Sequence, residues 1–153
     1  MPKAIQNKDG SKKQDCESKA AKRFVQSLRK THPRQGLILC GDGLMSHQPL
    51  METVIENGMH CLFVAKPGDH KYLFEWMGAF KELPCAEMID EKGRNHQYRW
   101  KNDVPLNGKK DALRVNFIEY SMFNETGRRT FHNSWVTDIG VTQDNIVRLA
   151  QAG

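Results

Sequence analysis

The sequence predicts an α/β fold, and three observations carry that prediction. Two short apolar runs, Leu37–Cys40 and Cys61–Ala65, are each bounded by turn residues and each followed by a helical pattern. The resulting strand–helix–strand–helix order implies parallel strands joined by helical crossovers. After Pro84 the pattern changes to short runs separated by turn signals, as antiparallel hairpins require.

Residues 1–14 are polar and without periodicity, and they read as extended or disordered chain. Asp15 is positioned to cap a helix over 16–30, whose apolar stripe is Cys16, Ala20, Ala21, Phe24, Val25 and Leu28. His32-Pro33 stops it, because a residue before proline avoids the helical region. The run Leu37-Ile38-Leu39-Cys40 lies between Gly36 and Gly41 and reads as a short buried strand, with Asp42 at its end. Ser46 is a suitable N-cap for a helix over 47–57, with Leu50, Met51, Val54 and Ile55 inward and Gly58 closing it. His60–Ala65 is a second buried strand, and Asp69 can cap a helix over 70–80 with Leu73, Trp76, Met77 and Phe80 inward.

Beyond that helix, turns fall at Glu91-Lys92-Gly93, Asn107-Gly108 and Asn124-Glu125-Thr126-Gly127. Leu113–Phe117 alternates as a half-buried strand does, and Phe131, Asn133, Trp135 and Thr137 share one side of another. Thr142 caps a final helix carrying Ile146, Val147, Leu149 and Ala150, which reads as cut short at Gly153.

Composition narrows the function classes. With 153 residues, 39% hydrophobic and 27% charged, the chain suits a soluble globular domain. No apolar run approaches the roughly 18 residues of a membrane span, and the polar N-terminus lacks a secretory signal core, so a cytoplasmic location is expected. Cys16, Cys40, Cys61 and Cys85 form no C-x-x-C pair, which argues against a zinc site; Cys40 and Cys61 lie in apolar runs and read as buried reduced thiols. The histidines show no metal-ligand spacing, and neither a Walker loop nor a serine elbow is present. The three tryptophans read as packing rather than base-stacking residues. Residues 1–34 hold seven Lys, three Arg, two Asp and one Glu, or +7, while the whole chain carries +5, so residues 35–153 sum to −2. That local excess fits a segment that tracks a phosphate backbone, and it equally fits a solvated helix face.

Two positions could carry chemistry. Asp42 ends a parallel strand, at the edge of an α/β sheet where ligands bind, and glycines on both sides leave space for a hard cation such as magnesium. The same pattern fits a turn aspartate bonded to backbone amides. Lys66-Pro67-Gly68-Asp69-His70-Lys71 joins the next strand to the next helix on that edge. Lys66, His70 and Lys71 are therefore candidates for phosphate contacts, or members of a solvated cap.

Gly41-Asp42-Gly43-Leu44-Met45-Ser46-His47-Gln48-Pro49, with Lys66-Pro67 and His70-Lys71-Tyr72-Leu73-Phe74-Glu75-Trp76 after it, resembles the DDE transposases of bacterial insertion sequences. Lys13–Glu17, Asn133–Asp138 and Asn145-Ile146-Val147 look like the same family, and the resemblance covers about residues 9–153. It implies a partial ribonuclease H-like core over 15–83, a β-rich insertion over 84–130, and a return to the core over 131–153. It also implies DNA strand cleavage and transfer on double-stranded DNA, with Mg2+ or Mn2+ held by three carboxylates and homo-oligomers of the full-length enzyme. Asp42 matches the second aspartate, as a catalytic metal ligand. The first aspartate lies upstream of this sequence and the glutamate beyond Gly153, so the chain is expected to be an internal fragment, inactive alone. Gly43 and Met45 stand where the family more often has an acidic residue and an aromatic. The other reading is a non-catalytic DNA-binding remnant of a decayed insertion element.

Overall fold

The computed structural model describes the backbone of residues 10–153 and the side chains from residue 19 onward. Helix α1 runs over Gly10–Thr31 and ends before Pro33 as expected, but it starts earlier than its apolar stripe. Residues 10–14 are therefore helical rather than extended, and Asp15 lies inside the helix instead of capping it. Lys12, Lys13 and Gln14 are good helix formers, and that propensity favours the longer helix. Residues 1–9, the rest of the polar segment, lie outside the described residues.

Strand β1 (Ile38–Gly41) pairs in parallel with β2 (His60–Val64), with Leu39 opposite Cys61 and Gly41 opposite Phe63. Helix α2 (Gln48–Glu56) makes the crossover, burying Leu50, Met51 and Val54. It stops at a left-handed Gly58 (φ +70), where Gly58 N–H donates to the Ile55 carbonyl and Met59 N–H to the Val54 carbonyl. This is the Schellman closure that a C′ glycine permits. The Arg29 guanidinium of α1 locks the closure by donating to the Gly58 carbonyl at 3.0 Å. Helix α3 (Lys71–Met77) follows β2 and buries Leu73 and Met77.

The second half of the chain is antiparallel. Strands β3 (Cys85–Ile89), β4 (Asn95–Pro105), β5 (Arg114–Phe123) and β6 (Arg129–Thr137) are joined by the turns the sequence marks, with Gly93 (φ +77) and Gly127 (φ +84) in the left-handed region. All six strands form one mixed sheet in the order β1-β2-β6-β5-β4-β3. The hairpin strands thus extend the sheet of the parallel pair, through β6 against β2 with Leu62 opposite Thr137. Helix α4 (Ile146–Ala152) closes the chain. One turn before it, Asn145 N–H donates to Thr142 Oγ1 and Thr142 N–H donates to Asn145 Oδ1, a reciprocal cap.

The sheet buries both faces. One face packs Cys61, Phe63, Phe117 and Val136 against α1, α2 and α3; the other packs Leu62, Trp100, Ile118 and Trp135 against α4. β1 differs from the buried strand expected. It alternates between exposed and half-buried residues, and Cys40 is exposed, because β1 is the edge of the sheet. Cys61 is buried, and burial together with the Asp138 charge pushes its thiol up to about 12. Asp138 also accepts from Cys61 N–H at 2.8 Å and pairs with His60 Nδ1 at 2.7 Å. Among the described residues no helix is long and apolar enough to cross a membrane.

Candidate functional site

The C-terminal ends of β1 and β2 point the same way, so the loops that follow them meet. Asp42 directly follows β1 and is exposed. Its Oδ1 accepts from Leu44 N–H at 3.0 Å and its carbonyl from Met45 N–H at 3.1 Å, so the carboxylate braces its own turn with one oxygen. The glycines beside it serve closer purposes than a ligand. A Cβ at Gly41 would strike Met45 and Phe63, and one at Gly43 would lie 2.9 Å from Asp69 Oδ2. The space read as room for a cation is thus occupied by Met45, Phe63 and the Asp69 carboxylate.

Lys66 and Lys71 are exposed, and they flank Asp69 and His70 in the loop after β2. The loop is tightened by Asp69 N–H and His70 N–H, both donating to the Lys66 carbonyl at 3.0 Å. His70 behaves differently from its neighbours. It is 8% exposed, and its Nε2 is hydrogen-bonded to Ser46 Oγ, which is 3% exposed. Ser46 therefore does not cap α2, and Asp69 does not cap α3; the N-cap positions belong to His47 and His70, neither with a side-chain cap bond. The Ser46–His70 bond instead ties the loop after β1 to the loop after β2.

Beside this bond is a cleft of about 240 Å³ whose walls include Ser46, His47, Asp69, His70, Lys71 and Asn107. Asn107 comes from the loop between β4 and β5, held when its amide donates to Gln48 Oε1 at 2.9 Å. Burial lowers the His70 pKa against the opposing Asp69 charge, which favours the neutral ring. Burial, then the Lys22 charge, lowers that of His47.

The structure thus brings Lys71 and His70 to one cleft, with Lys66 and Asp42 on the adjoining loops. It adds Ser46, His47 and Asn107, which sequence reasoning did not select. No local signal marks them, since Ser46 and His70 are 24 residues apart and Asn107 and Gln48 are 59 apart. Among the described residues no group of three His, Cys, Asp or Glu side chains could hold a metal ion, so Asp42 does not by itself make a two-ion centre. No protein-family model matches the chain, and no relative was found among curated proteins.

Proposed function

We propose that the chain is part of a DDE transposase, contributing Asp42 as the second catalytic aspartate of a ribonuclease H-like core that acts on double-stranded DNA. The observation that carries this reading is the position of Asp42 at the C-terminal end of β1. There it shares one sheet edge with the Lys66–Lys71 loop, next to a parallel partner strand. Carboxylates at such edges are placed to face bound ligands. The outer side of β1 has no strand partner among the described residues, which suits a core whose first aspartate is carried on a further strand. The Mg2+ or Mn2+ of the family then needs carboxylates beyond Asp42, and the described residues on their own do not supply them.

The experiment is to express the chain within its continuous flanking coding sequence and assay Mg2+- or Mn2+-dependent DNA cleavage. Loss of at least about a hundred-fold in cleavage rate with Asp42→Asn, at unchanged DNA affinity, is expected of a metal ligand. Cleavage indifferent to that change overturns the proposal. Robust metal-dependent nicking by the 153-residue chain alone would overturn the reading that carboxylates beyond Asp42 must be supplied from outside it.

A specific observation also supports the second reading, a DNA-binding remnant. Lys19, Arg23 and Lys30 are exposed on α1, on a surface that a phosphate backbone can reach. Duplex affinity that falls steeply with salt, without any cleavage in the extended protein, would favour it.

A further inference from the structure

The Ser46–His70 bond has a consequence for what the cleft can hold. Ser46 Oγ is buried, and among the described residues its only hydrogen-bond partner is His70 Nε2. If Nε2 carried the proton, the serine hydroxyl would have no acceptor among the described residues and would depend on solvent in the cleft that Ser46 lines. The direct bond favours the hydroxyl as donor to Nε2, which leaves the ring proton on Nδ1. Nδ1 makes no side-chain hydrogen bond among the described residues and is not a buried unsatisfied atom, and His70 is one of the residues that line the cleft. The Ser46 carbonyl and the Asp69 carboxylate near the ring favour its protonation, and burial outweighs both.

We infer that this cleft is an anion site for a phosphate oxygen, in which Ser46 is the positioning residue: it fixes His70 as a neutral donor whose Nδ1–H faces the ligand beside Lys71. A neutral imidazole in a set tautomer gives a directional donor, while the exposed Lys71 supplies charge without fixed direction. Asp69, on the same wall, repels an anion from its own side and thus confines the phosphate to the His70–Lys71 side. The inference names a contact within the DNA-binding reading and rests on it for the identity of the phosphate. The hydrogen-bond argument for the tautomer stands without it.

The test is nitrogen-detected NMR of the full chain labelled at histidine. For His70, a pyrrole-type Nδ1 and a pyridine-type Nε2 are expected; a protonated Nε2 overturns the inference. Inorganic phosphate and a short DNA duplex are then titrated separately. Either should move the His70 Nδ1 resonance, and response to neither overturns the anion site. Response to phosphate but not to duplex keeps the site and removes its link to DNA. Ser46→Ala should scramble the tautomer and weaken phosphate binding about five-fold, and Ser46→Thr, which keeps the hydroxyl, should restore both. Equal phosphate affinity in wild type and Ser46→Ala, with the fold intact by NMR, overturns the positioning role. Failure of DNA cleavage in the extended protein would leave all of these readings unchanged.

Discussion

The two halves of the sheet are stabilised in different ways. The antiparallel half, β3 to β6, is a ladder of neighbours close in sequence, closed by tight turns and backed by large side chains such as Phe117, Ile118 and Trp135. The parallel half, β1 and β2, has only nine strand residues and one exposed edge. Besides the core under α1, α2 and α3, it is held by bonds between elements distant in sequence: Arg29 of α1 to Gly58, Ser46 to His70, and Gln48 of α2 to the loop before β5. The antiparallel half contributes only Asn107 and its neighbour to the candidate site, and the parallel half carries Asp42 and most of the cleft. Binding residues on loops held by a rigid scaffold follow the same division.

This comparison can be broken in order of effect. Phe117→Ala removes a fully buried ring that meets Phe74 edge-on at 5.5 Å, and it should cost about 3–5 kcal/mol in denaturant unfolding. A loss under about 1 kcal/mol would deny that β5 anchors both halves. Gly58→Ala forces a left-handed residue and crowds Arg29, with 3.0 Å from the added Cβ to Nη2. It should cost about 1–2 kcal/mol and mobilise the loop before β2, read as faster amide exchange at Met59. Ile38→Ala, on the exposed edge, should shift stability by no more than about 0.5 kcal/mol, and a larger loss would mean that the edge is covered.

Two further measurements, one of stability against pH and one of thiol reactivity, sharpen the contrast. In the antiparallel half, the His96 ring, then the Arg94 amide and guanidinium, hold the Asp90 carboxyl well below the usual range against the opposing effect of burial. His96 Nδ1 is in turn 2.7 Å from Tyr120 Oη. A depressed carboxylate contributes stability above its unfolded pKa of about 3.9, and that contribution disappears as pH falls towards the folded value. Stability should therefore decline below about pH 4, and Asp90→Asn should flatten that decline; an unchanged acid limb would contradict the network. In the parallel half, Cys61, with its thiol raised to about 12, should resist alkylation in the native state. Mass spectrometry should find label on the exposed Cys40 and Cys85 first. Early modification of Cys61 would show that β2 opens.

Much of this fold was legible in the sequence because its signals are local. The β1–α2–β2 crossover followed from two apolar runs and an intervening helical stripe, and the hairpins from Gly93 and Gly127, whose positive φ values need glycine. The errors arose where a residue answered to something distant. Ser46 and Asp69 have the chemistry of helix caps, but Ser46 spends its hydroxyl on His70, and Asp69 lies over Gly43. Cys40 sits in an apolar run yet is exposed, because edge or interior position is a property of strand order, which periodicity does not encode. The position of Asp42 directly after β1 followed from the apolar run before it. The cleft beside it did not, because three separate loops build it.

Among the described residues, β2 alone pairs in parallel on one side and antiparallel on the other, and its antiparallel partner arrives late: Leu62 waits for Thr137, and Val64 for Trp135. During synthesis the first half of the chain therefore leaves the ribosome with β2 open on that flank, while β3, β4 and β5 can zip locally as they emerge. The loops that bear Asp42 and His70 gain their final support when β6 inserts between the two halves. The candidate site should thus be the last part of the molecule to mature, although its residues are translated early.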